Sequence, residues 1–211
     1  MASGRVSSKE KGSGFELRRE QILCAARTCF SAYGFHGTSI ANLSKSSGMS
    51  IGHIYHYFQN KEAIIKAIAE EALAEILEVH ADILDRPDML EGLLSHTVET
   101  AVQFSRLENS KLRLEIMSEA ARNACLARMV RDFDQRIRDS ALRILKCIDA
   151  SRGACSCDTE LESRFELMSA LVSGFLTRSV KGCRIDEHVL RQSLRRALLS
   201  ILMPDISVKT E

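Results

Sequence analysis

Residues 38–61 read TSIANLSKSSGMSIGHIYHYFQNK. Two short segments of helical character meet at Ser47-Gly48-Met49, and the second is crowded with imidazole and phenol side chains. Glycine at such a junction permits the left-handed backbone that ends one helix sharply before the next begins. The pattern predicts a DNA-reading helix-turn-helix. Thr38 is placed to cap the first helix by accepting an orphan backbone N–H, with Ile40 and Leu43 facing inward. Ser50 opens the second helix, which runs through Phe58. At about 100° per residue, Ile54 and Phe58 share a face with Ile51 beside them, so these three are expected to anchor it. The opposite face presents Gly52, His53 and His56, flanked by Tyr55 and Tyr57. Compact hydrogen-bonding groups on one side of a helix suit a major groove, and a glycine there allows close approach to the phosphate wall.

Upstream, residues 1–14 hold Gly, Ser and Lys with almost nothing apolar, which predicts a disordered tail whose Arg5, Lys9 and Lys11 add weak backbone contacts to DNA. From Phe15 the spacing of Ile22, Ala26, Cys29, Phe30 and Tyr33 predicts a first helix ended by Gly34. Downstream, Asn60 is placed to cap a long helix from Lys61 to about Leu84 whose stripe includes Ile65, Ile68, Leu73, Ile76 and Ile83. Arg86-Pro87-Asp88 breaks the chain before a fifth helix carrying Leu90, Leu93, Leu94, Val98 and Val102. A short sixth is expected near Lys111–Glu119. The seventh carries Leu126, Val130, Phe133, Ile137, Ile144 and Ile148 as far as Ser151-Arg152-Gly153. Thr159 and Glu162 form a capping box for the eighth, over 159–181, and Asp186 caps a ninth that stops before Pro204. The fold expected is all-α, about nine helices, divided as a tail at 1–14, a three-helix N-terminal domain at 15–62 and a larger helical domain at 63–211.

The net charge of +1 conceals an asymmetry. Residues 1–66 hold nine Lys and Arg against four Asp and Glu, whereas the remainder holds twenty against twenty-four. A basic first third carrying a helix-turn-helix is what a phosphate-binding module needs. No apolar run approaches the roughly 20 residues that span a bilayer, and MASGRVSSKEKGSG lacks the apolar core of a secretory signal, which predicts a cytoplasmic protein without membrane contact. Seven cysteines, Cys24, Cys29, Cys125 and Cys147 among them, fall mostly inside helical segments, as small buried hydrophobes of a reducing compartment would.

At this point the residues carry a family resemblance. REQILCAARTCFSAYGFHGTSI in the first helix, the turn SGMS, and above all IGHIYHYFQNKEAII resemble the N-terminal domain of the TetR family of transcriptional repressors, over about 50 residues from Leu17 to Lys66. The resemblance implies that Thr38, with Ser39 beside it, binds phosphate at the start of helix two. It places Ser50, Gly52 and His53 at the groove, Tyr55 and Tyr57 on the backbone to either side, and Lys61 on a phosphate at the head of helix four. His56 occupies a position that often touches bases. Ile51 and Ala41 depart from the family pattern, where polar or basic residues are common.

Paired sites are the rule for such modules, because one helix-turn-helix buries too little surface for specific affinity. A homodimer on palindromic double-stranded operator DNA is therefore expected. Leu171 and Phe175 of helix eight and Leu194, Leu198 and Ile201 of helix nine are its candidate interface, which the resemblance makes a four-helix bundle. The resemblance also implies an apolar cavity among helices four to eight for a small-molecule inducer, with His80, His96, Phe104, Met117, Arg122 and Phe133 as candidate contacts. Cys155-Ser156-Cys157 supports an alternative in which a soft metal or an oxidant is the signal. No Gly-rich phosphate loop, H-E-x-x-H or Gly-x-Ser-x-Gly elbow occurs, so neither an enzyme nor a cofactor is expected. A third reading is an all-helical small-molecule carrier that does not bind DNA.

Overall fold

The computed structural model describes residues 8–182 and 185–203. Nine α-helices and no strand occur among them: α1 Ser8–Gly37, α2 Ile40–Ser47, α3 Ile51–Tyr57, α4 Lys61–Leu84, α5 Met89–Ser105, α6 Leu107–Ala120, α7 Ala124–Ser151, α8 Asp158–Val180 and α9 Glu187–Leu202. Two compact units result. The first runs through Glu71 and takes in Glu115–Ala127; the second comprises Ala72–Leu114 and the chain from Arg128 onward. The division expected at 62/63 thus falls further on, inside α4, and the small unit recruits a later segment of chain.

In the first unit, α2 packs against α1 and α3 against α2. Ile22, Leu23, Phe30, Leu43, Ile54, Ile64 and Ile65 are completely buried. Each is branched or aromatic and faces the unit's interior, so burying the apolar side of every helix removes this area from water. Glu71 of α4 pairs with Arg27 and, at 2.7 Å, with Arg19, tying α4 to α1. The turn is held by backbone chemistry. Gly48 sits at φ 68°, Ser44 Oγ donates to the Met49 carbonyl at 2.6 Å, and Gln21 donates to the Ser47 carbonyl at 2.6 Å.

The second unit packs α5 against α8 and α9, and α8 against α9. Leu93, Leu94, Ala101, Ile144, Leu145, Leu161, Leu190 and Leu198 form its centre. A buried Arg164 on α8 binds both carboxylate oxygens of Asp149 at 3.0 and 3.1 Å, Ser156 at 2.8 Å and Glu160 at 2.7 Å. That cluster ties the loop after α7 to α8. Ser156, between the two cysteines, is therefore a structural latch.

Several sequence expectations change. Arg5 and Pro204 lie outside the described residues, as do the side chains of Lys9 and Lys11, but α1 begins at Ser8, so part of the expected tail is helical. The N-cap of α2 is Ser39, not Thr38; Ser39 and Asn42 exchange both bonds of a capping box. The eighth helix begins one residue earlier than Thr159 implied, with Cys157 at its N-cap and no side-chain cap bond, so the Thr159–Glu162 box does not form. Tyr33 and Ile51 are 64% and 45% exposed, because each lies at the edge of its helix's apolar stripe. Only Cys29 of the four helical cysteines is buried; Cys24, Cys125 and Cys147 face solvent.

Gly48 has open space where a Cβ would stand, so its backbone angle alone determines the effect of substitution. Gly48→Ala is expected to lower stability by about 1–2 kcal/mol. Denaturant unfolding of the full chain measures it.

Candidate functional site

A helix of seven residues has no independent stability, so α3 exists because its neighbours hold it. Ile54 is completely buried and Phe58, the residue closing the helix, is 7% exposed. Ser50 caps the other end, its hydroxyl accepting from the His53 N–H at 3.2 Å. What remains outward is Gly52, His53, Tyr55 and His56, all exposed, with no side chain near the Gly52 Cβ position. Tyr57 is half-buried. Its ring lies 4.6 Å from Phe15 and 5.4 Å from both His53 and His56, so it braces the two imidazoles from α1.

Two residues assigned to phosphate have other work. Thr38 is completely buried, and its hydroxyl donates to the carbonyls of Gly34 at 2.8 Å and Cys29 at 3.1 Å. It closes the end of α1 and cannot reach solvent. Lys61 donates to the carbonyls of Phe35 at 2.7 Å and Thr38 at 2.8 Å, with its ammonium 4.5 Å over the Phe35 ring. It stitches the head of α4 to the end of α1, which bends at Gly34 (φ 73°). Ser39 is exposed beside them. Lys45, exposed in the last turn of α2 and without an ion pair among the described residues, is a cation the motif reading passed over.

The second unit contains a cavity of about 490 Å³. His80, His96 and Phe104 line it, together with Glu75, Ile76, Val79, Thr97, Gln103, Arg113, Asp134, Phe165, Met168 and Ser169. Met117 and Arg122 do not: both are exposed and belong to the first unit. Phe133 is also absent from the wall. Ile137 and Ala141 of α7 line it instead, with the exposed Asp134 at its rim. Sequence periodicity passed over Arg113, and its flanking Leu112 and Leu114 were the available signal.

His80 is 4% exposed and shares a hydrogen bond with Ser140 Oγ at 3.1 Å. Its ring stands edge-on to His96, centroids 5.7 Å apart. Burial, then the His96 and Arg143 charges, push its pKa down to about 4, and burial likewise lowers His96. Both imidazoles are neutral near pH 7 and offer one donor and one acceptor each. Thr97 and Thr100 spend their hydroxyl protons on the Leu93 and His96 carbonyls.

The residues assigned to an interface divide. Leu194 and Leu198 are buried inside their own unit and cannot form a surface. Leu171, Phe175 and Ile201 are partly buried at the edge of the same core. Cys155 and Cys157 are exposed free thiols, and no group of three or more metal-ligating side chains occurs among the described residues. No described helix is long and apolar enough to cross a membrane.

The depressed His80 pKa has a thermodynamic consequence. Between about pH 6.5 and 4 the unfolded chain binds a proton that the folded chain refuses, so stability rises with pH across that window. Lowering the pH from 7 to 4.5 is expected to remove up to about 3 kcal/mol through this group. His80→Gln should flatten the dependence of melting temperature on pH in that range.

Similarity to known proteins agrees with this geometry. Residues 22–68 match the family model described as bacterial regulatory proteins, tetR family. The chain is 33% identical over 189 residues to the HTH-type transcriptional regulator UidR of Escherichia coli K12, covering 87% of this chain and 92% of that protein. It is 27% identical over 168 residues to the HTH-type transcriptional repressor AcnR of Corynebacterium glutamicum, covering 80% and 85%. Among solved structures, Salmonella enterica GusR superposes with a TM-score of 0.71 at 29% identity, covering 88% of this chain and 95% of that one. FadR from Bacillus subtilis, in complex with stearoyl-CoA, gives 0.71 at 19% identity over 86% and 97%, a likeness of fold alone. With a helix-turn-helix at its N-terminus and helical relatives matched over most of its length, this chain belongs to the TetR family of transcriptional regulators.

Proposed function

We propose that the protein is a homodimeric repressor that binds palindromic operator DNA and releases it when a small molecule enters the cavity of the second unit. The observation that carries the reading is the outward face of α3. Gly52, His53, Tyr55 and His56 are exposed on a helix whose other side is locked by Ile54 and Phe58. Side chains on a rigid backbone can discriminate base edges, whereas a mobile segment would lose the discrimination to entropy. Ser39, Ser50 and Lys45 flank that face and supply hydroxyls and a cation for phosphate.

Two copies are needed to span two successive grooves. On α8, Leu167, Ala170, Leu171, Gly174 and Phe175 form a small and apolar face that their own unit leaves partly uncovered; α9 adds Val189, Ser193, Ala197 and Ile201. Small residues let helices approach closely, and the uncovered leucine and phenylalanine surface supplies the driving force. The site of action would be the cytoplasm.

Release requires a ligand that binds the low-affinity conformation better by a few kcal/mol; tight binding to both forms would change nothing. The cavity is lined in part by Glu75, Ile76, Val79 and His80 of α4, the helix that Lys61 begins beside the DNA-reading unit. Occupancy that shifts these residues displaces α4, and with it the spacing of the two reading heads. The stearoyl-CoA bound to Bacillus subtilis FadR supports a cavity of this kind in the shared fold.

Fluorescence anisotropy on a palindromic fragment from the gene's own upstream region tests the reading. Affinity should fall by roughly a thousand-fold or more between about 50 and 200 mM salt. No binding at the low-salt end would sink it in favour of a carrier. Tyr55→Phe should weaken all sequences alike, while His53→Ala or His56→Ala should alter base preference. Replacing Cys155 and Cys157 with Ser should leave effector-driven release intact; loss of release would transfer the signal to thiol or metal chemistry.

A further inference from the structure

Among the charged side chains around the cavity, Arg113 is unlike the others. Its guanidinium lies 4.6 Å from the centre of the Phe104 ring and is half-buried, and it makes no hydrogen bond or ion pair among the described residues. Stacking uses the flat face of a guanidinium and leaves its in-plane N–H donors available. Arginine remains protonated under any physiological condition, so a positive charge is held largely out of water without a carboxylate in contact. Burial draws its pKa below the ordinary arginine value, and the field of Glu75 opposes this only in part.

The acidic groups nearby do not neutralise it. Glu99 is engaged by Arg191 at 2.7 Å and by Gln103 at 2.7 Å, and these bonds hold its carboxyl below the usual range. Glu75 and Asp134 are exposed at the rim, where water screens them. His80 and His96 are neutral, so they contribute donors and acceptors without charge. Much of the remaining wall is apolar, from Ile76, Val79, Leu93, Ile137, Met168 and Val172.

We propose that the effector is an amphipathic organic carboxylate, with its carboxyl group paired to the Arg113 fork and its apolar body against Val79, Phe104, Met168 and Val172. The inference rests on the cavity being the effector site. A planar monoanion satisfies two parallel N–H donors at once, which a hydroxyl or amide cannot. A dianionic phosphate would meet one cation and two rim carboxylates. An amine would be repelled by Arg113 at the end of the cavity where the unused donors lie. Hydrogen-bonding groups along the ligand would find His96, Ser169 and Ser173, whose side chains have no partner among the described residues.

Calorimetric titration of the full chain with 4-phenylbutyrate and octanoate, and with the primary amide and the primary amine of each, provides the test. The acids should bind about ten-fold or more tightly than their amides, and the amines weakest. Arg113→Gln should weaken the acids by about the same factor and leave the amides unchanged, and Arg113→Lys should restore part of the preference. Melting curves of each variant separate a binding loss from a folding loss, and the unmodified chain's preference decides the matter should Arg113→Gln fail to fold. Equal or tighter binding of amides or amines, or a preference that survives Arg113→Gln, overturns the carboxylate assignment. When Val172→Trp blocks those amides or amines, the cavity still stands as the effector site. Failure of every compound to bind, or binding that persists in Val172→Trp, overturns both.

Discussion

Burial of Ile54 and Phe58 beneath a seven-residue helix is the interaction on which the DNA-reading unit depends. So short a helix gains too few hydrogen bonds to offset nucleation, and its order is borrowed from the core below. The backbone devices around it serve that placement. Gly48 turns the chain, Ser50 accepts the orphan His53 N–H, and the Ser44 and Gln21 bonds close the turn. Lys61 and Thr38 belong to the same framework. A lysine aimed at two carbonyls and a ring face fastens α4 to α1 where α1 bends, so residues that resemble phosphate contacts in sequence act as fasteners in space.

The second unit spends its polar groups differently. Its centre is leucine and isoleucine, and the charged Arg164 is tolerated because four oxygens surround it. The cavity breaks this economy. Two neutral histidines, several hydroxyls and one arginine that has no hydrogen-bond or ion-pair partner among the described residues face the cavity beside apolar walls. A few polar groups set among apolar walls give the cavity the composition of a small-molecule pocket. The face of α8 around Leu167, Leu171 and Phe175 is the complementary case, apolar surface that the described residues of its own unit cover only in part.

Local signals made most of the architecture legible. Stripes at threes and fours, Gly34, Gly48, Pro87, Asn60 and Asp186 locate several helix starts and ends to within a few residues, because capping and left-handed turns are decided by neighbours in the chain. The aromatic and imidazole run of α3 was likewise readable, since its outward face follows from helical geometry alone. Errors gathered where the partner is distant in sequence. Tyr33, Ile51, Cys24, Cys125 and Cys147 have apolar or ambiguous side chains at stripe edges, and whether an edge is covered depends on an element far along the chain. Leu194 and Leu198 were assigned outward for the same reason: a leucine-rich face does not announce whether its cover is internal or a second subunit.

Sequence by itself determined the all-helical fold, the family, the order of the helices and the face that α3 presents. All of these rest on periodicity and on residue types within one turn of one another. Tertiary structure alone decided that Thr38 and Lys61 are committed to carbonyls, that His80, His96 and Phe104 share a cavity while Met117, Arg122 and Phe133 do not, and that Arg113 faces that space with no partner among the described residues. Those facts depend on which side chains meet across helices separated by tens of residues, and the chain carries no local record of that meeting.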